Sequence, residues 1–291
     1  MNILILGGNG MLGHMACRIL SKNHKVFATG RSPLNAKSPL FPLFSKNQWL
    51  SDVDAWHWDS IVSAFEKAKP QVVINCIGVV KQLEEAKNPL ISIEINSLFP
   101  HRLAALCGLS HAKLIHISTD CVFSGNKGMY TELDNPDPVD LYGRSKLLGE
   151  VSQNDALTLR TSIIGRQLTG TTGLVEWFFS QKNKTIKGYT KAIYSGLTTQ
   201  VLCSVIETII TQQSSLSGLY QVASEPINKY DLLYDINKRF NLNITVQPDN
   251  WVAIDRSLNG THFTKRTGIT IPSWGDMLET LKSDNNYYEK E

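Results

Sequence analysis

A four-residue apolar run, Ile3-Leu-Ile-Leu6, passes directly into Gly7-Gly8-Asn9-Gly10-Met11-Leu12-Gly13, and nothing else in the chain restricts its fold as tightly. The run is short and wholly apolar, the composition of a parallel strand buried on both faces. The glycines satisfy Gly-x-x-Gly-x-x-Gly at 7, 10 and 13, and Gly-x-Gly-x-x-Gly at 8, 10 and 13. Apolar residues then fall at Met11, Leu12, Met15, Ala16, Ile19 and Leu20, the spacing of a helix with one buried face. Strand, glycine turn and helix in succession make a seat for pyrophosphate. The turn is tight, its backbone is bare, and the helix start offers free N–H groups and a positive dipole end. Gly7, Gly10, Met11, Leu12 and Gly13 are the residues expected to line it.

The next strand is expected at Lys25-Val-Phe-Ala-Thr29, followed by Gly30-Arg31-Ser32. A site for NAD places an Asp or Glu near this strand's end, against the ribose 2′-hydroxyl. Arg31 and Ser32 stand there instead and suit a 2′-phosphate, so the expected cofactor is NADPH, with NADH as the other possibility. Residues 32–50 form an irregular excursion at the edge of the sheet. Val53-Asp54 ends a third strand, with Asp54 either near the adenine or simply on the surface. Asp59 is the expected cap of a helix running to Ala68. Gln71-Val-Val-Ile-Asn-Cys76 is a fourth strand, after which Ile77-Gly78 brings Cys76 and Gly78 close to the cofactor. A long helix from about Asn88 to Leu106 carries Asn96.

The chemistry concentrates between Ser118 and Lys146. The strand Lys113-Leu-Ile-His-Ile117 closes on Ser118-Thr119-Asp120-Cys121-Val-Phe-Ser-Gly125, and a helix from Leu141 to Val151 carries Tyr142-Gly-Arg-Ser-Lys146. Tyr142 and Lys146 are four residues apart and share a helix face. A phenol titrates near ~10; a neighbouring ammonium favours the phenolate and brings its proton into reach of neutral-pH chemistry. A hydroxyl of Ser118 or Thr119 could hold a substrate oxygen against it. Tyr234 and Lys238 have the same interval, but no Ser/Thr-ended strand precedes them. They are expected to be a core tyrosine and a solvated lysine.

Composition narrows the rest. The 291 residues are 42% hydrophobic and 19% charged, with a net charge of +3. That is room for two domains and too little charge to imply a nucleic-acid polymer as partner. Five scattered cysteines without a Cys-x-x-Cys suggest neither a disulfide framework nor zinc, and the histidines form no metal-type pair. No stretch approaches the ~20 apolar residues of a membrane span, so a cytoplasmic location without membrane insertion is expected. Cys121 is read as a small apolar filler and Glu84-Glu85 as a solvated face. Lys81, just past the Gly78 turn, is either a substrate contact or a surface lysine.

After the strand Ala156–Arg160 the pattern loosens. A loop Gly165–Gly173 precedes helices at Leu174–Gln181, Thr198–Thr211, Lys229–Phe240 and Ser273–Leu281, a strand at Gly218–Val222, and a polar tail at 283–291. The fold class expected is α/β: a Rossmann doubly wound parallel sheet with a smaller C-terminal α/β substrate-binding lobe. The division is placed at 1–162 and 163–291, with some later elements returning to the first sheet and the second half packing on the first as a lid.

Gly7–Gly13, Asn75-Cys-Ile-Gly78, Ser118-Thr-Asp-x-Val-Phe-x-Gly125 and Tyr142-Gly-x-Ser-Lys-Leu-x-Gly-Glu150 together resemble an extended short-chain dehydrogenase/reductase. Within that superfamily the chain resembles the dTDP-4-dehydrorhamnose reductases, which are nucleotide-sugar 4-ketoreductases. Arg160-Thr-Ser162 and Pro272-Ser-Trp274 extend the likeness toward the end of the chain. The resemblance implies that Thr119, Tyr142 and Lys146 are catalytic, that Tyr142 and Lys146 also hold the cofactor, and that Asn96 supports the site. It implies hydride transfer to C4 of a 4-keto-6-deoxy sugar nucleotide. The surface expected to contact the sugar comprises Lys81, Asn96, Ser118, Thr119, Cys121 and Ser162. Cys121 stands where the family has tyrosine, and Ile163-Ile164 where it has an aromatic pair. A UDP-linked N-acetylated 4-keto-6-deoxy sugar is therefore a competing substrate. An epimerase of the same superfamily, or a non-catalytic subunit like the regulatory one of methionine adenosyltransferase, are the other readings. A homodimer is a possible assembly.

Overall fold

The computed structural model describes residues 1–44 and 48–288; parts of the expected 32–50 excursion and of the polar tail lie outside these. The chain begins with β1 (Asn2–Leu6), α1 (Met11–Leu20), β2 (Lys25–Thr29), β3 (Trp49–Leu50), α2 (Trp58–Ala68) and β4 (Val72–Asn75). It continues with α3 (Pro89–Ser92), a π-helical segment Ile93–Leu98, α4 (Phe99–Leu109), β5 (Lys113–Thr119), α5 (Leu141–Leu148), β6 (Leu157–Thr161) and β7 (Ile163–Ile164). Then come α6 (Leu174–Phe179), β8 (Thr185–Tyr194), β9 (Leu197–Thr198), α7 (Thr199–Gln212), β10 (Gly218–Gln221) and β11 (Ile227–Asn228). The described chain closes with α8 (Lys229–Phe240), β12 (Thr245–Asp255), α9 (Thr261–Thr267) and α10 (Trp274–Ser283).

Seven strands form one sheet in the order β10-β6-β5-β4-β1-β2-β3. The pairs from β3 through β2, β1 and β4 to β5 are all parallel. Strand order reverses between β1 and β4, the place where an open α/β sheet leaves a crevice at its carboxyl edge. Leu6 pairs with Asn75, and Asn75 with His116, so β1 and β4 end level there while β5 runs on to Thr119. One core packs Leu4, Leu6, Ile61, Phe65, Phe99 and Leu103 with their neighbours on α2 and α4. Ile3 and Ile5, which alternate with them along β1, are fully buried as well. Burial of both faces explains why these strands read as unbroken apolar runs.

Two compact units interleave along the chain. The first comprises 1–118, 140–159 and 203–219, the second 119–139, 160–202 and 220–291. Relative to a division at residue 162, 119–139 groups with the second unit, and 203–219 is a later segment that groups with the first. In the second unit β8 is the middle of a three-stranded sheet, antiparallel to β11 and parallel to β12.

Some local expectations are corrected. The third strand is Trp49–Leu50 and ends before Val53. His57 rather than Asp59 occupies the N-cap of α2, and Asp59 falls in the first turn, where its charge still favours the helix dipole. Tyr234 is 52% exposed, not a core residue; the buried stripe of α8 is Leu232, Leu233 and Ile236.

Candidate functional site

At the crevice end of β1, Gly7 adopts a left-handed φ of +81°, and its carbonyl accepts the Gly10 N–H at 3.0 Å. A Cβ on Gly13 would lie 2.0 Å from the Gly7 carbonyl oxygen, so only glycine lets α1 pack this close to the turn. No side chain caps α1, and no acidic residue stands in its first turn. The first N–H groups of a helix have no partner within it, which leaves those of Met11, Leu12 and Gly13 for an anion. This geometry fits a pyrophosphate.

Arg31 and Ser32 are exposed after β2, and the Ser32 carbonyl accepts the Trp49 indole N–H at 3.1 Å. Asp54 is occupied locally: its carboxylate accepts the Trp56 N–H at 3.0 Å in the turn leading to α2. Cys76 is half-buried after β4, donates its N–H to the Leu6 carbonyl at 3.1 Å, and has its thiol pushed up to about 12 by burial.

The turn that follows is held from two sides. Asn75 Oδ1 accepts the Ile77 N–H at 3.1 Å. Asn96, buried in the π-helical segment, accepts the Val79 N–H at 2.9 Å and donates to the Val79 carbonyl at 3.0 Å. Its amide also donates to Ser145 Oγ on α5 at 3.2 Å. Asn96 thus ties the Gly78 turn to the helix that bears Tyr142 and Lys146. A Cβ on Gly149 would fall 1.8 Å from the Asn96 carbonyl oxygen, which accounts for the glycine at the end of α5.

Asp140 starts α5: its Oδ1 accepts the Gly143 N–H at 2.8 Å. Lys81 pairs with the other Asp140 oxygen at 2.7 Å, so its charge serves this cap. Tyr142 is half-buried in the first turn. Lys146, 6% exposed, donates to the Ile117 carbonyl at 2.7 Å. Burial lowers its pKa to about 8, against the opposing pull of Glu150. Ser118 donates its hydroxyl to Glu150 Oε1 at 2.6 Å, which leaves its oxygen lone pairs for a further donor.

Thr119 ends β5. Its hydroxyl donates to Asp120 Oδ1 at 3.1 Å and accepts the Cys121 N–H at 3.1 Å. Asp120 is buried, and desolvation raises its pKa despite Thr119, Arg256 and Lys229 nearby. Lys229 lies 5.1 Å from the centre of the Tyr194 ring, and burial lowers its pKa against Asp120 and Cys121. Cys121 is half-buried within this group. Ser162 links β6 to β7, its carbonyl accepting the Leu197 N–H at 2.8 Å. Reading the sequence alone did not single out Glu150, Asp140, Lys229 or His116. Glu150 at least lay inside the quoted Tyr142 motif.

Among the described residues, no group of three or more His, Cys, Asp or Glu could hold a metal ion, and no helix is long and apolar enough to cross a membrane. The parallel sheet, the glycine turn at its switch point and the Tyr–Lys helix beside it define a doubly wound, dinucleotide-fold protein. More narrowly, the chain belongs to the family described as RmlD substrate binding domain, whose model matches residues 1–280.

Its relatives include a probable low-salt glycan biosynthesis reductase of Haloferax volcanii, 34% identical over 170 residues. That match takes in 56% of this chain and 54% of the relative, so the chain spans about half of that protein. The dTDP-4-dehydrorhamnose reductase of Aggregatibacter actinomycetemcomitans is 28% identical over 79% of this chain and 76% of its own. Subunit beta of methionine adenosyltransferase 2 from Danio rerio is 27% identical over 82% and 74%. The crystal structure of dTDP-4-dehydrorhamnose reductase from Bacillus anthracis, in complex with NADP, superposes with a TM-score of 0.79 at 23% identity. It covers 97% of this chain and 98% of that one.

Proposed function

We propose that the protein is an NADPH-dependent reductase of the C4 ketone in a nucleotide-linked 4-keto-6-deoxy sugar, serving surface polysaccharide precursor synthesis. The observation that carries this reading is the buried Lys146, four residues from Tyr142 on α5, with its pKa lowered to about 8 by burial. An unreactive scaffold gains nothing from a desolvated ammonium on the helix face that carries a tyrosine.

Gly7, Gly10 and the first N–H groups of α1 would hold the pyrophosphate, and Arg31 with Ser32 the 2′-phosphate. Cys76 and Gly78 would lie along the cofactor's path beyond β4. When bound, the nicotinamide supplies a hydride to the ketone carbon. Tyr142 gives its phenolic proton to the forming alkoxide. Lys146 favours the phenolate left behind and donates to the nicotinamide ribose. The Thr119 hydroxyl, on turning from Asp120 Oδ1, donates to the C4 oxygen and orients it. Ser118 and Asn96 act by positioning, and Lys81 by completing the α5 cap.

The test is NADPH consumption at 340 nm with two substrates made in situ: dTDP-4-keto-6-deoxy-L-mannose and the UDP-linked N-acetylated 4-keto-6-deoxy analogue. Turnover of either, lost in Tyr142→Phe, supports the reading and assigns the nucleotide. If NADPH binds and neither substrate is reduced, the second reading gains: a regulatory subunit, favoured by the extended likeness to subunit beta of methionine adenosyltransferase 2.

A further inference from the structure

His116 is fully buried on β5, opposite Asn75 of β4, with its Nδ1 3.1 Å from Asn75 Nδ2. The other end of the Asn75 amide accepts the Ile77 N–H. A backbone N–H can only donate, so that bond fixes which end of the amide is oxygen. The Asn75 NH2 must therefore face the ring, and His116 Nδ1 must be the acceptor. The imidazole is neutral, with its proton on Nε2.

That Nε2 has no hydrogen-bond partner among the described residues. An imidazole with one buried nitrogen idle is a costly way to fill a strand position that an apolar side chain would fill without penalty. Its return is the bond to Asn75. Beyond Asn75 lies the backbone of the Cys76–Gly78 turn, whose far side Asn96 holds through Val79.

We propose that His116 is a positioning residue for the dinucleotide: by accepting from Asn75 it orients the carboxamide that holds Ile77, and so sets the turn along which the cofactor runs. The proposal rests on the NADPH reading above. A protonated ring would turn an N–H toward the Asn75 NH2 and break the relay. Burial first, then the electrostatic influence of Lys146 and His101, keeps the His116 pKa well below its ordinary value.

The experiment compares His116→Leu, which removes the acceptor, with His116→Asn, whose amide oxygen can stand where Nδ1 stood. Two quantities are read: the Kd for NADPH by fluorescence, and the hydrogen-exchange rate of the Ile77 amide in cofactor-free protein. In His116→Leu, Kd should rise and exchange should quicken, each by about tenfold, the worth of roughly one hydrogen bond. His116→Asn should stay within about threefold of the wild type. Asn75→Ala should match His116→Leu, and the double variant should be no worse than either alone. Unchanged Ile77 exchange in His116→Leu, equal damage in both His116 variants, or additive losses in the double variant would each overturn the proposal. If the wild type binds no NADPH, the cofactor reading falls, while the exchange rates still decide whether His116 sets the turn.

Discussion

Replacing Lys146 by methionine should make the protein more stable and inactive. The ammonium is 6% exposed, and burial takes its pKa from 10.5 to about 8. At about 1.4 kcal/mol per decade of proton affinity, holding it charged costs the fold roughly 3 kcal/mol. Methionine has a similar length and no charge to desolvate, and it forfeits the bond to the Ile117 carbonyl, worth about 1 kcal/mol. The net gain expected at neutral pH is about 2 kcal/mol.

The sign follows from linkage. Below pH 8 the group is charged both folded and unfolded, and the whole cost is present. Between about 8 and 10.5 the folded protein releases the proton while the unfolded chain keeps it, so wild-type stability rises with pH across that window. The advantage of methionine should shrink over the same range. Urea unfolding of both proteins at about pH 7 and about pH 10 measures this directly. A Lys146→Met variant no more stable than the wild type at neutral pH, or a difference indifferent to pH, would refute the account of Lys146 as a strained, functional cation. A gain in stability with loss of turnover is the trade expected where an active-site charge is held against its solvation.

Other consequences can be checked with simpler variants. Gly13→Ala puts a methyl 2.0 Å from the Gly7 carbonyl oxygen, so the turn must open, and NADPH affinity measured by fluorescence should fall by at least about tenfold. Asp140→Ala removes the α5 cap and leaves Lys81 without its ion pair. A loss of about 1 kcal/mol in urea unfolding is expected. Arg31→Ala should raise KM for NADPH about tenfold and leave KM for NADH unchanged, since a 2′-phosphate contact worth roughly one charged hydrogen bond is lost only from the former. Equal effects on both cofactors would remove Arg31 from the 2′-phosphate.

The first unit was legible because its strands are buried on both faces and its glycines have one steric purpose each. Ile3–Leu6 could not be taken for an amphipathic helix, and Gly13 is where a side chain does not fit. In the second unit β8 and β12, ten and eleven residues long, escaped notice. Few of their residues are buried (Gly188, Ala192 and Tyr194 in β8, none in β12), and lysines and threonines occupy β8. In β12, Pro248-Asp249-Asn250 reads as a turn, whereas it marks the register shift between Asp249 and Ala253 against β8. In the candidate site the residue types were readable and their partners were not. Nothing local announces that the Ser118 hydroxyl donates to Glu150, 32 positions away. Asn96 was recognisable by likeness alone, since no local pattern announces a bond to Val79. Side-chain pairing across the fold is a tertiary fact, and local periodicity carries no trace of it.

The π-helical segment Ile93–Leu98 has a bearing on how this region can change length. A π turn accommodates one residue more than an α turn, and each helical residue advances the azimuth by about 100°. The stretches on either side of it, Pro89–Ser92 and Phe99–Leu109, are therefore out of phase, and no single helical wheel fits both. Deleting one residue here would let the ladder close as ordinary α-helix and would straighten the rod. It would also swing the Asn96 amide off Val79 and Ser145, undoing the brace between the Gly78 turn and α5. The segment works as a phase-keeper: the helix can lose its irregularity only by losing its aim.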